Sequence, residues 1–150
     1  MSNYILDTDH FSLWQRNHPL VIQHIQNVDP NVLAITIITA EELIRGRFNV
    51  IRESSQVSHS EKLILAYTKL WETLALIKHI NIINFDHNAY RIYAELRHQK
   101  IRIGTQDLKI ASIAMANNAI LITRNYRDFS KVPNLALTDW TISEMNAEIN

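Results

Sequence analysis

The chain has 150 residues, the size of one ordinary domain, and its 47% hydrophobic and 20% charged content supports a buried core and argues against disorder. There is no cysteine, which excludes disulfides and thiolate metal sites and suits a reducing cytoplasm. Lys plus Arg and Asp plus Glu number 15 each, a balance that argues against a broadly basic nucleic-acid binder and leaves room for an acidic site ringed by basic residues.

Met1 to Asp9 has neither the basic nor the long apolar part of a secretory signal, and no apolar run approaches the roughly 20 residues that span a bilayer. A soluble cytoplasmic protein forming one domain over residues 1–150, with no membrane partner, is the expectation. Tyr4 to Leu6 reads as a first strand ending at Asp7. Phe11 to Arg16 and Leu20 to Val28 read as short helices separated by Pro19 and stopped by Asp29-Pro30. The run Val32 to Thr36 is apolar enough for a buried parallel strand.

Thr39 then opens a helix reaching about Arg52, Ser54 to Ser60 forms a polar loop, and Glu61 to Lys78 forms a further helix. The stripe Leu63, Tyr67, Leu70, Leu74 and Ile77 has helical spacing on that helix. Ile80 to Phe85 is a third strand, with Asp86 capping a helix that ends near Gln99. Thr105 begins the next helix, ending at Asn117-Asn118, followed by a fourth strand, Ala119 to Thr123, and a short fifth at Leu135 to Leu137. Strands alternating with helices imply right-handed crossovers, hence a three-layer α/β/α sandwich with a parallel sheet of four to five strands.

Such sheets bind ligands beyond the carboxyl ends of their strands. Asp7 ends the first strand with Asp9 just beyond, Glu41 and Glu42 follow the second, and Asp128 follows the fourth. Asp107 sits in the first turn of its helix, in register with Ile110, Ala111 and Ala114, and so points along the apolar side. Each acid also has a local explanation: Thr39 and Glu42 have capping-box spacing, and Asp107 is favourable near a helix N-terminus. Together they form a repulsive cluster that a divalent cation would turn into an attractive one. Oxygen-only donors select hard ions, Mg²⁺ or Mn²⁺, which serve phosphodiester hydrolysis. Scattered histidines such as His10 and His87 read as surface or core-edge residues. The two glycines, Gly46 and Gly104, read as sites of close approach or open space, and of a tight loop beside Asp107.

These residues resemble the PIN-domain nucleases, and among them the VapC-type toxins of bacterial toxin–antitoxin pairs. Tyr4-Ile5-Leu6-Asp7-Thr8-Asp9 resembles the family's first-strand motif, and Thr39-Ala40-Glu41-Glu42-Leu43-Ile44-Arg45-Gly46 its second, with Glu42 as the acid. Ile103 to Ala111 is similar to the third motif, with Asp107 as its acid, and Leu121 to Phe129 to the fourth. Leu137 to Trp140 resembles the last strand. Where many relatives carry Asp this chain has Asn125, so the fourth charge rests on Asp128, and occupancy by a second metal stays open.

The resemblance implies metal-dependent endonucleolytic cleavage of structured RNA, a homodimer, and a cognate antitoxin that carries the operator-DNA-binding part. On this reading Asp7 and Asp107 hold the principal metal, Glu42 and Asp128 complete the cup, and Asn125, Thr8, Asp9 and Thr123 support them. Lys109, Arg124, Arg127 and Arg45 are candidate phosphate contacts. Two rival readings are a receiver-type phosphoacceptor domain, with Asp86 as its phosphoacceptor, and a catalytically silent binding module on the same fold.

Overall fold

The computed structural model describes residues 3–56 and 60–143. Part of the expected loop between Ser54 and Ser60, and Met1 and Ser2 of the amino-terminal segment, therefore lie outside the described residues. The strands are short and apolar: β1 (Tyr4–Leu6), β2 (Leu33–Thr36), β3 (Asn81–Ile83), β4 (Ile120–Ile122) and β5 (Ala136–Thr138). They pair in the order β3-β2-β1-β4-β5, every pair parallel, so β1 lies at the centre. The helices are α1 (Thr8–Gln15), α2 (Pro19–Gln26), α3 (Ile37–Ser55), α4 (Ser60–Ile77), α5 (His87–His98), α6 (Thr105–Ala116) and α7 (Tyr126–Phe129).

Side chains alternate across the strands and build two cores, one on each face. Ile5, Ala34 and Leu121 pack with α5 and α6 residues such as Tyr93, Leu96, Ile110 and Ala114. Leu6, Leu33, Ile35 and Ile122 pack on the other face with Phe11, Val21, Leu43 and Trp140. This is the expected three-layer sandwich, and all five strands form. Among the described residues, no helix is long and apolar enough to cross a membrane.

Several boundaries differ from the expectation for identifiable reasons. α3 starts at Ile37 because the Thr36 hydroxyl accepts the Thr39 amide at 3.1 Å, so Thr36 and not Thr39 is its cap. The helix continues through Ser54 and Ser55, which the sequence assigned to a loop. α4 buries Ala66, Thr73 and Ile77, with Leu63 and Leu70 partly buried on the same side, whereas Tyr67 and Leu74 of the same stripe are 55% and 46% exposed. The segment after β4 holds the single turn of α7. Asp86 caps α5 as expected, its Oδ1 accepting the Ala89 amide at 3.0 Å. Asn118 takes a left-handed φ of 50° just past α6, where the expected Asn-Asn stop lies. Gly46 has no neighbour within 4 Å of a notional Cβ, so open space and not close packing surrounds it. Gly104 caps α6 at φ −57°, a conformation open to any residue.

Urea unfolding separates the buried sheet from the exposed flank of α4. Leu121→Ala should cost about 2–5 kcal/mol, and Leu74→Ala less than about 1 kcal/mol. Comparable losses would contradict this division.

A candidate acidic metal centre

Parallel pairing sets the carboxyl ends of β2, β1 and β4 side by side, and the strand order reverses between β1 and β4, the place where open sheets of this kind bind ligands. Asp7 is the first residue past β1. Its amide donates to the Ile122 carbonyl at 3.0 Å, and its Oδ1 caps α1 by accepting the His10 amide at 2.7 Å. The helix dipole favours a carboxylate there and offsets part of the cost of burying it to 6% exposure. The same Oδ1 lies 3.3 Å from Nδ1 of His10, which is completely buried.

Glu42 comes from the second turn of α3. Its Oε1 accepts the Thr8 hydroxyl at 2.9 Å, and that hydroxyl is 3.0 Å from the Thr39 hydroxyl. The capping box expected for Thr39 and Glu42 is not formed. Glu42 turns instead toward the end of β1. Its neighbour Glu41 faces outward, paired with Arg45 at 2.7 Å and accepting the Gln106 amide group at 2.8 Å. Asp107 is half-buried in the first turn of α6, where Ile110, Ala111 and Ala114 occupy the core as their shared register requires.

Asp7, Glu42 and Asp107 line one cavity of about 520 Å³ with Thr8, Asp9, Ser12, Arg16, Arg124, Asn125 and Phe129. Burial is the largest cause that pushes the Asp107 carboxyl up to about 6, followed by the charges of Glu42, Asp7 and Asp128 in that order. Asp128 does not line the cavity. Its Oδ2 accepts Nδ2 of Asn125 at 3.1 Å, and its amide donates to Oδ1 of Asn125 at 3.3 Å, so Asn125 meets the cavity with Asp128 fixing its orientation. Thr123 is fully buried, and its hydroxyl accepts the Asn125 amide at 2.9 Å.

The basic residues divide sharply. Arg124 donates from Nε and Nη2 to the two oxygens of Asp9, both at 2.8 Å, and this hydrogen-bonded pairing holds the Asp9 carboxyl below its ordinary range. Arg124 lines the cavity, as does Arg16, which sequence reasoning missed although Asp9, Ser12 and Arg16 have the spacing of one helix face. Arg45 is tied to Glu41, Lys109 donates to Gln106 at 3.3 Å, and Arg127 is exposed; none of these three lines the cavity. Asp86 lines a separate cavity with Asn84, Phe85, His87 and Tyr90, which removes the basis of the phosphoacceptor reading.

The donor chemistry fits a hard divalent cation. Three carboxylates converge with oxygen donors only, and both the burial and the neighbouring charges that raise Asp107 are costs a cation relieves. Ligand atoms of Asp7, Asp9 and His10 also lie within 4.8 Å of one another. In that trio Arg124 occupies both Asp9 oxygens and Asp7 and the Trp140 amide engage the two His10 nitrogens, which makes Asp9 and His10 supports.

The family model of the PIN domain matches residues 4–135. The chain is 32% identical over 145 residues to "Ribonuclease VapC2" of Rickettsia felis, covering 91% of this chain and 97% of the relative. It is 26% identical over 144 residues to "tRNA(fMet)-specific endonuclease VapC" of Salmonella typhimurium, covering 93% and 99%. In three dimensions it resembles a chain of the crystal structure of VapBC2 from Rickettsia felis bound to a DNA fragment from their promoter, with TM-score 0.70, 29% identity, and coverage of 91% and 98%.

The raised Asp107 fixes the sign of a pH effect. A carboxyl titrating near 6 when folded and near ~4 when unfolded destabilises the fold as it ionises, a cost complete above about pH 6 and absent well below about pH 4. In metal-free buffer Asp107→Asn should therefore raise the melting temperature at about pH 8, with the gain shrinking as pH falls toward about 4. Calorimetric melting across that range checks this, and a pH-independent gain contradicts it.

Proposed function

The chain belongs to the PIN-domain family, and on that premise we propose that it is a divalent-metal-dependent endoribonuclease, the toxin of a toxin–antitoxin pair, acting through a single PIN domain. The observation that carries this reading is the convergence of Asp7, Glu42 and Asp107 on one cavity at the carboxyl edge of the sheet, where burial first and the neighbouring carboxylates second raise Asp107 to about 6.

Asp7, Asp107 and Glu42 would hold the cation, Mg²⁺ or Mn²⁺. When bound, it supplies neutralising charge for the phosphate and lowers the pKa of water for attack on phosphorus. Asp7 is fixed in orientation by its cap on α1, and Glu42 by the Thr8 hydroxyl, so neither needs to reorganise as substrate arrives. Asn125, held by Asp128 and Thr123, offers an amide to a phosphate oxygen or a water. Arg16 and Arg124 set guanidinium groups on the cavity wall beside the acids, which draws in a polyanion despite the neutral chain. Arg124 reaches the cavity already oriented by Asp9.

The substrate class is structured RNA, in keeping with the tRNA endonuclease among the relatives. A cognate antitoxin is the expected protein partner, with operator DNA reached only through it, in keeping with the promoter-bound complex of the Rickettsia felis pair. Phe48, Ile64, Leu65, Tyr67, Trp71 and Leu74 leave an apolar surface on α3 and α4 of the kind a protein partner covers. A homodimer and a cytoplasmic location complete the proposal.

Purified protein free of antitoxin should cut total cellular RNA into discrete fragments with Mg²⁺ or Mn²⁺, and none with EDTA. Asp107→Asn should lower cleavage at least about 100-fold while remaining folded. Metal-independent cleavage, or full activity in Asp107→Asn, would refute the reading.

A further inference from the structure

His10 is the one fully buried histidine among the described residues, and it lies between the acidic site and the segment that follows β5. Its Nδ1 is 3.3 Å from Oδ1 of Asp7, and its Nε2 accepts the main-chain amide of Trp140 at 3.3 Å. An amide N–H aimed at Nε2 requires a lone pair there, so the ring proton belongs on Nδ1, where it donates to Asp7. Asp139 Oδ1 stands 3.5 Å from Nε2, but it already accepts the Thr141 amide at 2.7 Å and the Thr141 hydroxyl at 2.6 Å.

The far end of this chain of contacts is well anchored. Trp140 is 5% exposed, and its ring stacks on His24 of α2 at a centroid distance of 5.3 Å and meets Tyr4 of β1 at 5.4 Å. The near end leaves the reacting side of Asp7 free: among the described residues the hydrogen bonds to its carboxylate all fall on Oδ1, and Asp7 lines the cavity.

We propose that His10 is a positioning residue for the acidic site. Its imidazole, protonated on Nδ1, fixes the Asp7 carboxylate and couples it through Nε2 to the Trp140 segment, 130 residues along the chain. A hydrogen-bond donor behind a ligating carboxylate sets which oxygen faces the cation, and loss of such a partner typically lowers metal affinity about 10–100-fold. The inference rests on the reading of Asp7 as a metal ligand.

Three variants of the full chain separate the two ends of the imidazole. Asn at position 10 reaches roughly where Nδ1 stands, Gln roughly where Nε2 stands, and Phe fills the volume with neither. Mn²⁺ affinity measured by calorimetry should fall about 10–100-fold in His10→Phe and His10→Gln and largely recover in His10→Asn. Nitrogen-15 NMR of the wild-type histidine rings should show His10 protonated on Nδ1 with Nε2 unprotonated, a readout that holds even if a variant fails to fold. Folded variants that all bind Mn²⁺ like wild type would overturn the proposal, as would an equal loss in all three or a proton found on Nε2. Absence of Mn²⁺ binding in the wild-type protein would instead overturn the nuclease reading, and this inference with it.

Discussion

Three carboxylates that repel one another govern the carboxyl edge of this sheet. Asp7 arrives from the central strand, Glu42 from α3 and Asp107 from α6, and the fold holds all three against a single cavity. Their repulsion and partial burial work against folding, as the raised Asp107 carboxyl records. Such an arrangement persists because the surrounding structure over-determines it: two apolar cores on the faces of a five-stranded sheet fix the helices from which the acids project. Stored unfavourable charge is what a counter-charge relieves, and an oxygen-only donor set fits a hard cation.

The neighbours of the acids show how that preparation is achieved. Two of the three acids are held in orientation by their neighbours. Asp7 is pinned by the α1 amide and by His10, Glu42 by Thr8, and Asn125 by Asp128 and the Thr123 hydroxyl. Asp9 is drawn out of the acidic set by Arg124, which neutralises one carboxylate and sets a guanidinium on the cavity wall. Among the described residues no buried side-chain nitrogen or oxygen lacks a partner, so the buried polar groups around the site are satisfied within the chain itself. The zero net charge of the chain therefore hides a local division, with acids at the strand ends and Arg16 and Arg124 beside them.

Much of this was legible in the sequence, and what was not had a physical cause. Alternating short apolar runs and helical periods fix the layer order, and an acid directly after a central parallel strand marks Asp7. Asp107 was legible because its register places it on the core side of α6. The start of α3 was misread because Thr36 and Thr39 are both able to cap, and the β-branched run Ile35 to Ile38 looks like strand throughout. The α4 stripe turns only partly inward, Leu63, Leu70 and Ile77 toward the protein and Tyr67 and Leu74 outward, because that helix carries apolar residues around most of its circumference and periodicity alone does not fix its rotation. Asn125 and Asp128 stand three apart on one turn, and only the three-dimensional path of α7 shows which of them meets the cavity. His10 had no local signal at all, because its partner on the other side is Trp140.

The central claim is that Asp7, Glu42 and Asp107 form one cation site at the switch point of the sheet. Anomalous diffraction from crystals of the protein soaked in Mn²⁺ tests it most directly. The account predicts a manganese peak among these three carboxylates, on the Asp7 oxygen that His10 leaves free. A peak elsewhere, or none at saturating Mn²⁺ in crystals where the cavity is open to solvent, would contradict it.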